Sequence, residues 1–353
     1  PLVELAGRLD QGEVAHLVVL GGNPAYDAPA DLELPKKLGK AKRFLHLGVE
    51  RDETGVLSNA HIPQSHYLES WGDLVARDGT ISIQQPLIAP LYSSMSSIEV
   101  VSALLGKPTS GYELVRKTHE ARGGLSFDKS WRRWLHDGVV GSDDVAAVTA
   151  ALTTDGLAEA YAQLPKASGF EVDIIRDATI LDGRFATSPW LQELPDPITK
   201  ITWDNVGLVS PATAARLGVD NGDWVTVEHH GRSVKLPIWV QPGTADDVLA
   251  VAMGYGHTER GEHGKSGFDV GPLRTTVSSY ILSGASVSKA GGDYPIACVQ
   301  RETSMYGRNL IRSATSRTSE RRRTSSRSSS SSTKSTSTPS SRSQSSRRTI
   351  SGR

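Results

Sequence analysis

Cysteine is almost absent: Cys298 is the only one in 353 residues. A single thiol makes no disulfide within the chain, holds no iron–sulfur cluster and builds no Cys-x-x-Cys zinc site. Long apolar runs are missing too. The longest, Val248–Met253, is broken by Gly254, far short of the ~18–20 residues that cross a bilayer. No nucleophile elbow, Walker loop or Gly-x-Gly-x-x-Gly motif is present, so the commonest hydrolase and nucleotide signatures are excluded. There is no signal peptide, and residue 1 is Pro1, with a helical pattern already running over Leu2–Leu9. The chain therefore reads as a fragment, and the lack of a targeting signal says nothing about location.

The apolar fraction is 37%, low for a globular chain, and part of the deficit lies at the C-terminal end. From Arg312 to Arg353 there are 11 Lys and Arg against one acidic residue, Glu320, a net +10. The body then carries 28 basic and 38 acidic residues, a net −10, hidden by the overall zero. An acidic body is a poor binder of nucleic acid through its own surface. From Ser316 onward the chain is Ser, Arg and Thr, which cannot bury a core and is expected to be disordered.

The body alternates strand and helix signals. His16–Leu20 is a short apolar run that ends in Gly21-Gly22-Asn23-Pro24, a buried parallel strand entering a tight turn. Ala30–Gly39 reads as a helix with a Gly stop, Arg43–Gly48 as a second strand, and Glu50–Thr54 as a loop or helix start. This is a βαβ unit and implies a parallel sheet. Helical patterns follow over Ser97–Leu105, Gly111–Glu120, Ser130–His136 and Val145–Leu164, and Gly169–Trp190 reads as strand and loop. After Pro197 the composition shifts to short strands with Gly and Pro turns: Trp224–His229, the turn His230-Gly231-Arg232, Ser233–Val240 and Val248–Met253. That pattern predicts a small β-barrel. The predicted division is an α/β domain over 1–197, truncated at its N-terminus, a barrel domain over 198–311 and a tail over 312–353.

Polar chemistry concentrates between Asn59 and Tyr92, which holds His61, His66, Glu69, Asp73, Trp71 and three prolines with no clean period. Such a segment is expected to be a long ordered crossing rather than a simple core element. His61 and His66 are five residues apart, which does not place both on one helical face; hydrogen-bonded loop anchoring is the preferred reading, with Trp71 as a packing plug. Gly21, Gly22 and Asn23 could cradle a phosphate through backbone N–H groups or form an ordinary strand-to-loop turn. His257 lies in a Gly-rich loop, Gly254–Gly267, and His229-His230 is placed at an exposed hairpin turn. No metal site and no catalytic residue is assigned.

These features resemble a known superfamily. Val18–Pro24, Asp52-Glu53-Thr54 and the 59–92 block resemble the third domain of molybdopterin oxidoreductases, and Ala215–Val225 resembles the lead-in to their C-terminal dinucleotide-binding barrel. His66–Asp73, Gln85–Tyr92, Gly254–Thr258 and Ser304–Arg308 are similar to the molybdopterin-oxidoreductase-like subunit of alternative complex III, a bacterial quinol:electron-acceptor oxidoreductase. The resemblance covers residues 14–315.

It implies an α/β domain with a parallel sheet followed by a six-stranded double-psi-type barrel. It implies partners that include a haem c subunit and an integral membrane quinol-oxidising subunit, on the periplasmic face of the inner membrane. If a pterin dinucleotide is bound, the resemblance points to Gly21, Gly22, Asn23, Asp27, Gly254, Gly256 and His257. Against binding, active relatives continue Gly-Thr-x-x-Asn-x-Glu-Gly-Arg, whereas Gly79-Thr80 runs on as Ile81-Ser82-Ile83-Gln84. Losing that Arg removes a charge-assisted donor of ~1.5–3 kcal/mol. The expected role is a scaffold with no cofactor in this fragment; the alternatives are a catalytic molybdenum or tungsten bis-pterin oxidoreductase and RNA–protein binding through the Ser/Arg tail. The family's iron–sulfur module would begin near Ala314, where the tail starts, and a shifted reading frame explains the tail most simply.

Overall fold

The structure is a computed structural model that describes residues 1–142, 151, 153–162 and 169–300. Pro1–Gln300 form one compact unit. Helix α1 (Leu2–Asp10) leads to β1 (His16–Leu20), the short helices α2 (Pro24–Asp27) and α3 (Leu34–Leu38), then β2 (Arg43–Gly48), α4 (Glu53–Leu57) and β3 (Ala60–Pro63). The strands form a parallel sheet in the order β1-β2-β3, with Leu17 opposite Phe44 and His46 opposite His61. One face is sealed by Ala6 and Leu9 of α1 and by Leu34 and Leu38 of α3, all buried with Leu17 and Phe44. Asp52 starts α4 by accepting a hydrogen bond from Gly55 N at 2.9 Å, a side-chain cap on an otherwise unpaired helix-start donor.

The 59–92 block is more regular than a loop crossing. It supplies β3 and then a hairpin, β4 (Gly72–Val75) and β5 (Thr80–Gln84), which pairs onward with β6 (Val139–Ser142). Helices α5 (Ser97–Leu104), α6 (Gly111–Gly123) and α7 (Phe127–Asp137) lie between β5 and β6 in the chain. A capping box of Ser96 and Glu99 starts α5. Ile83, Val115, Phe127 and Trp131 form the local core, and Trp71 packs against it with Tyr112 edge-on at 4.9 Å, so the plug role of Trp71 is confirmed. Leu87, Ile88, Leu91 and Tyr92, by contrast, are exposed, so this part of the block is not a packed crossing. Of the helix expected over 145–164, the described residues include α8 (Leu157–Ala162); 145–150, 152, 163 and 164 lie outside them.

The barrel is closed and six-stranded, as expected, but it begins earlier than position 198. Its strands are β7 (Phe170–Arg176), β8 (Gly207–Val209), β9 (Asp223–His229), β10 (Arg232–Val240), β11 (Val248–Met253) and β12 (Ile281–Asp293), in the order β10-β8-β11-β7-β12-β9. Strand β7 pairs in parallel with β11 over six positions, Val248 opposite Glu171 through Met253 opposite Arg176. The predicted boundary at 197 is therefore corrected: the first barrel strand lies on the other side of it. The composition change there marks a turn, in which Asp196 Oδ1 accepts from Ile198 N at 3.0 Å and Thr199 N at 2.7 Å. Short helices α9 (Pro189–Glu193) and α10 (Pro211–Leu217) flank the closure. Val172, Val225, Val227, Leu236, Ile238, Leu249 and Leu282 fill the interior completely buried. His229 is buried, not exposed, with Nδ1 3.2 Å from Leu273 O, while His230 stays at the surface in the left-handed region (φ 48°). The barrel's predicted end at 311 and the tail over 312–353 lie outside the described residues. No described helix is long and apolar enough to cross a membrane.

Candidate functional site

The turn after β1 and the loop after β11 meet across a cleft. Gly21 and Gly22 both take φ 77°, a left-handed conformation that glycine adopts without Cβ strain. They reverse the chain and bury Asn23. Asn23 Oδ1 accepts from Thr54 N at 3.2 Å and Thr54 Oγ1 at 2.7 Å, and its Nδ2 donates to Glu53 Oε2 at 2.6 Å. From the barrel side, Glu53 Oε1 accepts from His257 Nδ1 at 3.1 Å and Thr258 N at 2.8 Å. The Tyr26 ring stacks on His257 at 3.8 Å, and its hydroxyl donates to Tyr255 O at 2.6 Å.

Asn23 and His257 are thus brought together, but through Glu53. Burial pushes the Glu53 carboxyl up; the hydrogen bonds from His257 and Asn23 outweigh it and hold the group well below the usual carboxylate range. Sequence reading placed Glu53 at a loop or helix start and within the Asp52-Glu53-Thr54 motif, without a role as a cross-link. Its partners lie 30 and 204 positions away, and no local pattern reveals them.

The glycines divide. A Cβ on Gly254 (φ 98°) would stand 2.4 Å from Gly183 N, and one on Gly256 (φ 69°) 2.3 Å from Asp269 N. Both are required by close passage of protein backbone. A Cβ on Gly22 would meet nothing within 4 Å, and one on Gly21 only the Gln64 side chain at 3.4 Å. Gly183, not singled out in the sequence, lies against both Gly254 and His257 Nε2.

The cleft has a volume of about 610 Å³ and is lined by Gly22, Asn23, Asp27 and His257 together with four further charged side chains beside Asp52: Glu50, Asp182, Arg184 and Arg260. Burial, then the neighbouring Asp182, push the Asp27 carboxyl up to about 6. Both guanidinium groups are engaged. Arg184 binds Asp182 through Nε at 2.8 Å and a terminal nitrogen at 2.7 Å. Arg260 donates to Gly183 O at 2.6 Å and faces Glu50 at 3.8 Å and Asp52 at 3.7 Å. Glu50 Oε2, His257 Nε2 and Arg260 Nε are buried without a hydrogen-bond partner.

The two His of the 59–92 block do not pair. His61 Nδ1 lies 3.1 Å from Nδ1 of buried His46, whose Nε2 donates to Gly22 O at 3.1 Å. His66 stacks on Tyr67 at the surface. Among the described residues no group of His, Cys, Asp and Glu could hold a metal ion.

A parallel α/β sheet joined through a polar network to a closed six-stranded barrel is the arrangement that the resemblance to molybdopterin oxidoreductases implied. Comparison with known proteins agrees. Residues 198–275 match the molydopterin dinucleotide binding domain family. The menaquinone reductase, molybdopterin-binding-like subunit, of Nitratidesulfovibrio vulgaris (strain Hildenborough) is 24% identical over 264 residues, 70% of this chain and 37% of that protein. The acetylene hydratase of Pelobacter acetylenicus superposes with a TM-score of 0.58 at 14% identity, over 82% of this chain and 46% of that one; at that identity the likeness concerns the fold. Together these findings fit the chain to the molybdopterin oxidoreductase superfamily. The chain spans less than half the length of both proteins.

The superfamily implies a pterin dinucleotide, whose diphosphate needs free cations or unpaired N–H groups. In the cleft Arg184 is bound to Asp182 and Arg260 donates to Gly183 O, whereas Arg260 Nε and His257 Nε2 are buried without a hydrogen-bond partner; Asp27, Glu50, Asp52 and Asp182 outnumber the two guanidiniums.

Proposed function

We propose that this chain belongs to a non-catalytic, molybdopterin-oxidoreductase-like subunit that scaffolds a quinol-oxidising respiratory complex of the alternative complex III type. It would dock iron–sulfur and haem subunits, so that electrons pass between centres held elsewhere. It would sit on the periplasmic face of the inner membrane, held by membrane partners including a haem c subunit and an integral quinol-oxidising subunit. The observation that carries the reading is the cleft's charge: four carboxylates stand against two guanidiniums, of which Arg184 is bound to Asp182 and Arg260 donates to Gly183 O. The similarity to a menaquinone reductase subunit supports a place in a multi-subunit quinone-linked complex.

A ligand-bearing enzyme is favoured by one observation, the buried and unpartnered His257 Nε2 and Arg260 Nε at the cleft. Elemental analysis of the purified complex, with pterin fluorescence after denaturation, separates the readings. The scaffold predicts substoichiometric molybdenum and tungsten and no pterin. Stoichiometric metal with pterin that disappears on removing this subunit would defeat it.

A further inference from the structure

Residues 79–98 contain no Lys, Arg, Asp or Glu, yet the middle of this stretch lies outside the core. Leu87 is 76%, Leu91 72% and Tyr92 79% exposed, with Ile88 at 48%, and Tyr67 on the adjoining turn is 62% exposed. The backbone beneath is nonetheless pinned. Leu87 N and Ile88 N both donate to Leu68 O, at 2.8 and 3.2 Å. Leu91 N donates to Glu69 Oε1 and His66 N to Glu69 Oε2, each at 3.0 Å. Gln84 Nε2 donates to Tyr67 O and Ser70 O at 3.0 Å, and Gln85 Nε2 to Leu135 O at 2.7 Å. Pro86 and Pro90 have no N–H to satisfy. Three of the six backbone amide donors over 85–92, those of Leu87, Ile88 and Leu91, are therefore already paired before anything covers the loop. Large apolar side chains held on such a frame form a preorganised contact surface, for which little ordering entropy is lost on binding.

The charges around this surface select the occupant. Loops that enter a bilayer are held at anionic headgroups by flanking Lys and Arg. Here the uncharged stretch is bounded by Asp78, with Arg77 before it, and by Glu99. The group at the base of the loop is a carboxylate, Glu69, which the Leu91 and His66 amides hold below the usual carboxylate range and so keep ionised. An apolar centre beside a fixed negative charge complements a protein face, whereas it repels an anionic membrane.

We propose that the Leu87–Tyr92 projection, with Tyr67, is a protein-docking surface that seats in an apolar pocket of a partner subunit, with a basic rim of that pocket against Glu69. The inference deepens the scaffold reading and rests on it for the existence of a partner subunit. Its test uses the assembled complex, purified from membranes through a tag on this chain. Hydroxyl-radical footprinting compares Leu91 and Tyr92 in the complex and in the isolated chain, normalised to Val277, which is 81% exposed on the barrel.

Oxidation of Leu91 and Tyr92 is expected to fall severalfold in the complex. A Leu87→Asp/Leu91→Asp chain is expected to retain one specific subunit about tenfold less well, as truncating an interface hot spot does. The milder Tyr92→Ala shifts retention in the same direction, and both variant chains keep the wild-type circular dichroism. Unchanged footprints, protection already present in a self-associated isolated chain, or Leu91-dependent flotation with phosphatidylglycerol vesicles would each overturn the proposal. Molybdenum in the complex would defeat the scaffold reading while leaving these readouts intact.

Discussion

Replacing Glu53 by Gln probes how the two lobes are joined. The carboxylate collects Asn23 Nδ2 on one oxygen, and His257 Nδ1 and Thr258 N on the other. A Gln amide offers only one acceptor. Turned toward Asn23, its NH2 meets another donor at the 2.6 Å contact; turned the other way, it loses the contacts from the barrel. The less costly orientation strands Asn23 Nδ2, at ~1–3 kcal/mol, and weakens two charge-assisted bonds by ~1 kcal/mol each. A loss of about 3–5 kcal/mol at pH 7 follows, read by urea unfolding followed through tryptophan fluorescence. The pH dependence carries a second signature. The Glu53 carboxyl is held below its ordinary value of 4.5, so its contribution is complete above that value and is lost as the pH falls through the folded-state value. The deficit of Glu53→Gln should therefore shrink in acid. A deficit under ~0.5 kcal/mol at pH 7, or one that stays constant into acid, would refute a charge-dependent junction.

Gly254→Ala drives a Cβ to 2.4 Å from Gly183 N at φ 98° and should cost about 3 kcal/mol or more in thermal unfolding, whereas Gly22→Ala, at φ 77° with no neighbour within 4 Å, should cost only ~1–2 kcal/mol. Equal losses would show that Gly254 is not set by backbone packing. Asp269, raised to about 6 mainly by burial, opposes folding when ionised, and its cost develops as the pH rises from about 4 through 6. Asp269→Asn keeps the acceptor for Gly271 N and should stabilise the protein by ~1–2 kcal/mol at pH 8, after discounting for partial exposure, and by nothing near pH 3, as read from urea midpoints. Tyr26→Phe deletes the 2.6 Å bond to Tyr255 O and should lower stability by ~1–2 kcal/mol without changing the unfolding slope m.

Local chemistry made much of this architecture legible. The run His16–Leu20 and its Gly-Gly turn announced β1 as a parallel strand, though not a buried one, since Val18 and Leu20 are exposed, and the alternation over Trp224–His229 with a Gly turn announced the β9–β10 hairpin, because each element carries its own period and stop signal. Strand β7 was read as strand, but its membership of the barrel was hidden: its partners are β11 and β12, roughly 70 to 110 positions on, and only closure of the barrel reveals them. Asn23 and His257 were visible as polar residues in glycine-rich turns, which is how a ligand site and an internal cross-link both look in one dimension. Glu53 supplies the cross-link: its carboxylate takes donors from both turns. The same limit applied to Gln85–Tyr92. Its apolar composition suggested packing, and packing there is, but of the backbone alone; the side chains stand outward. An apolar loop with half of its backbone amides paired to the adjoining turn and its leucines in water gains its missing burial only against another surface, which shifts the expected work of this segment from holding its own fold to holding a neighbour.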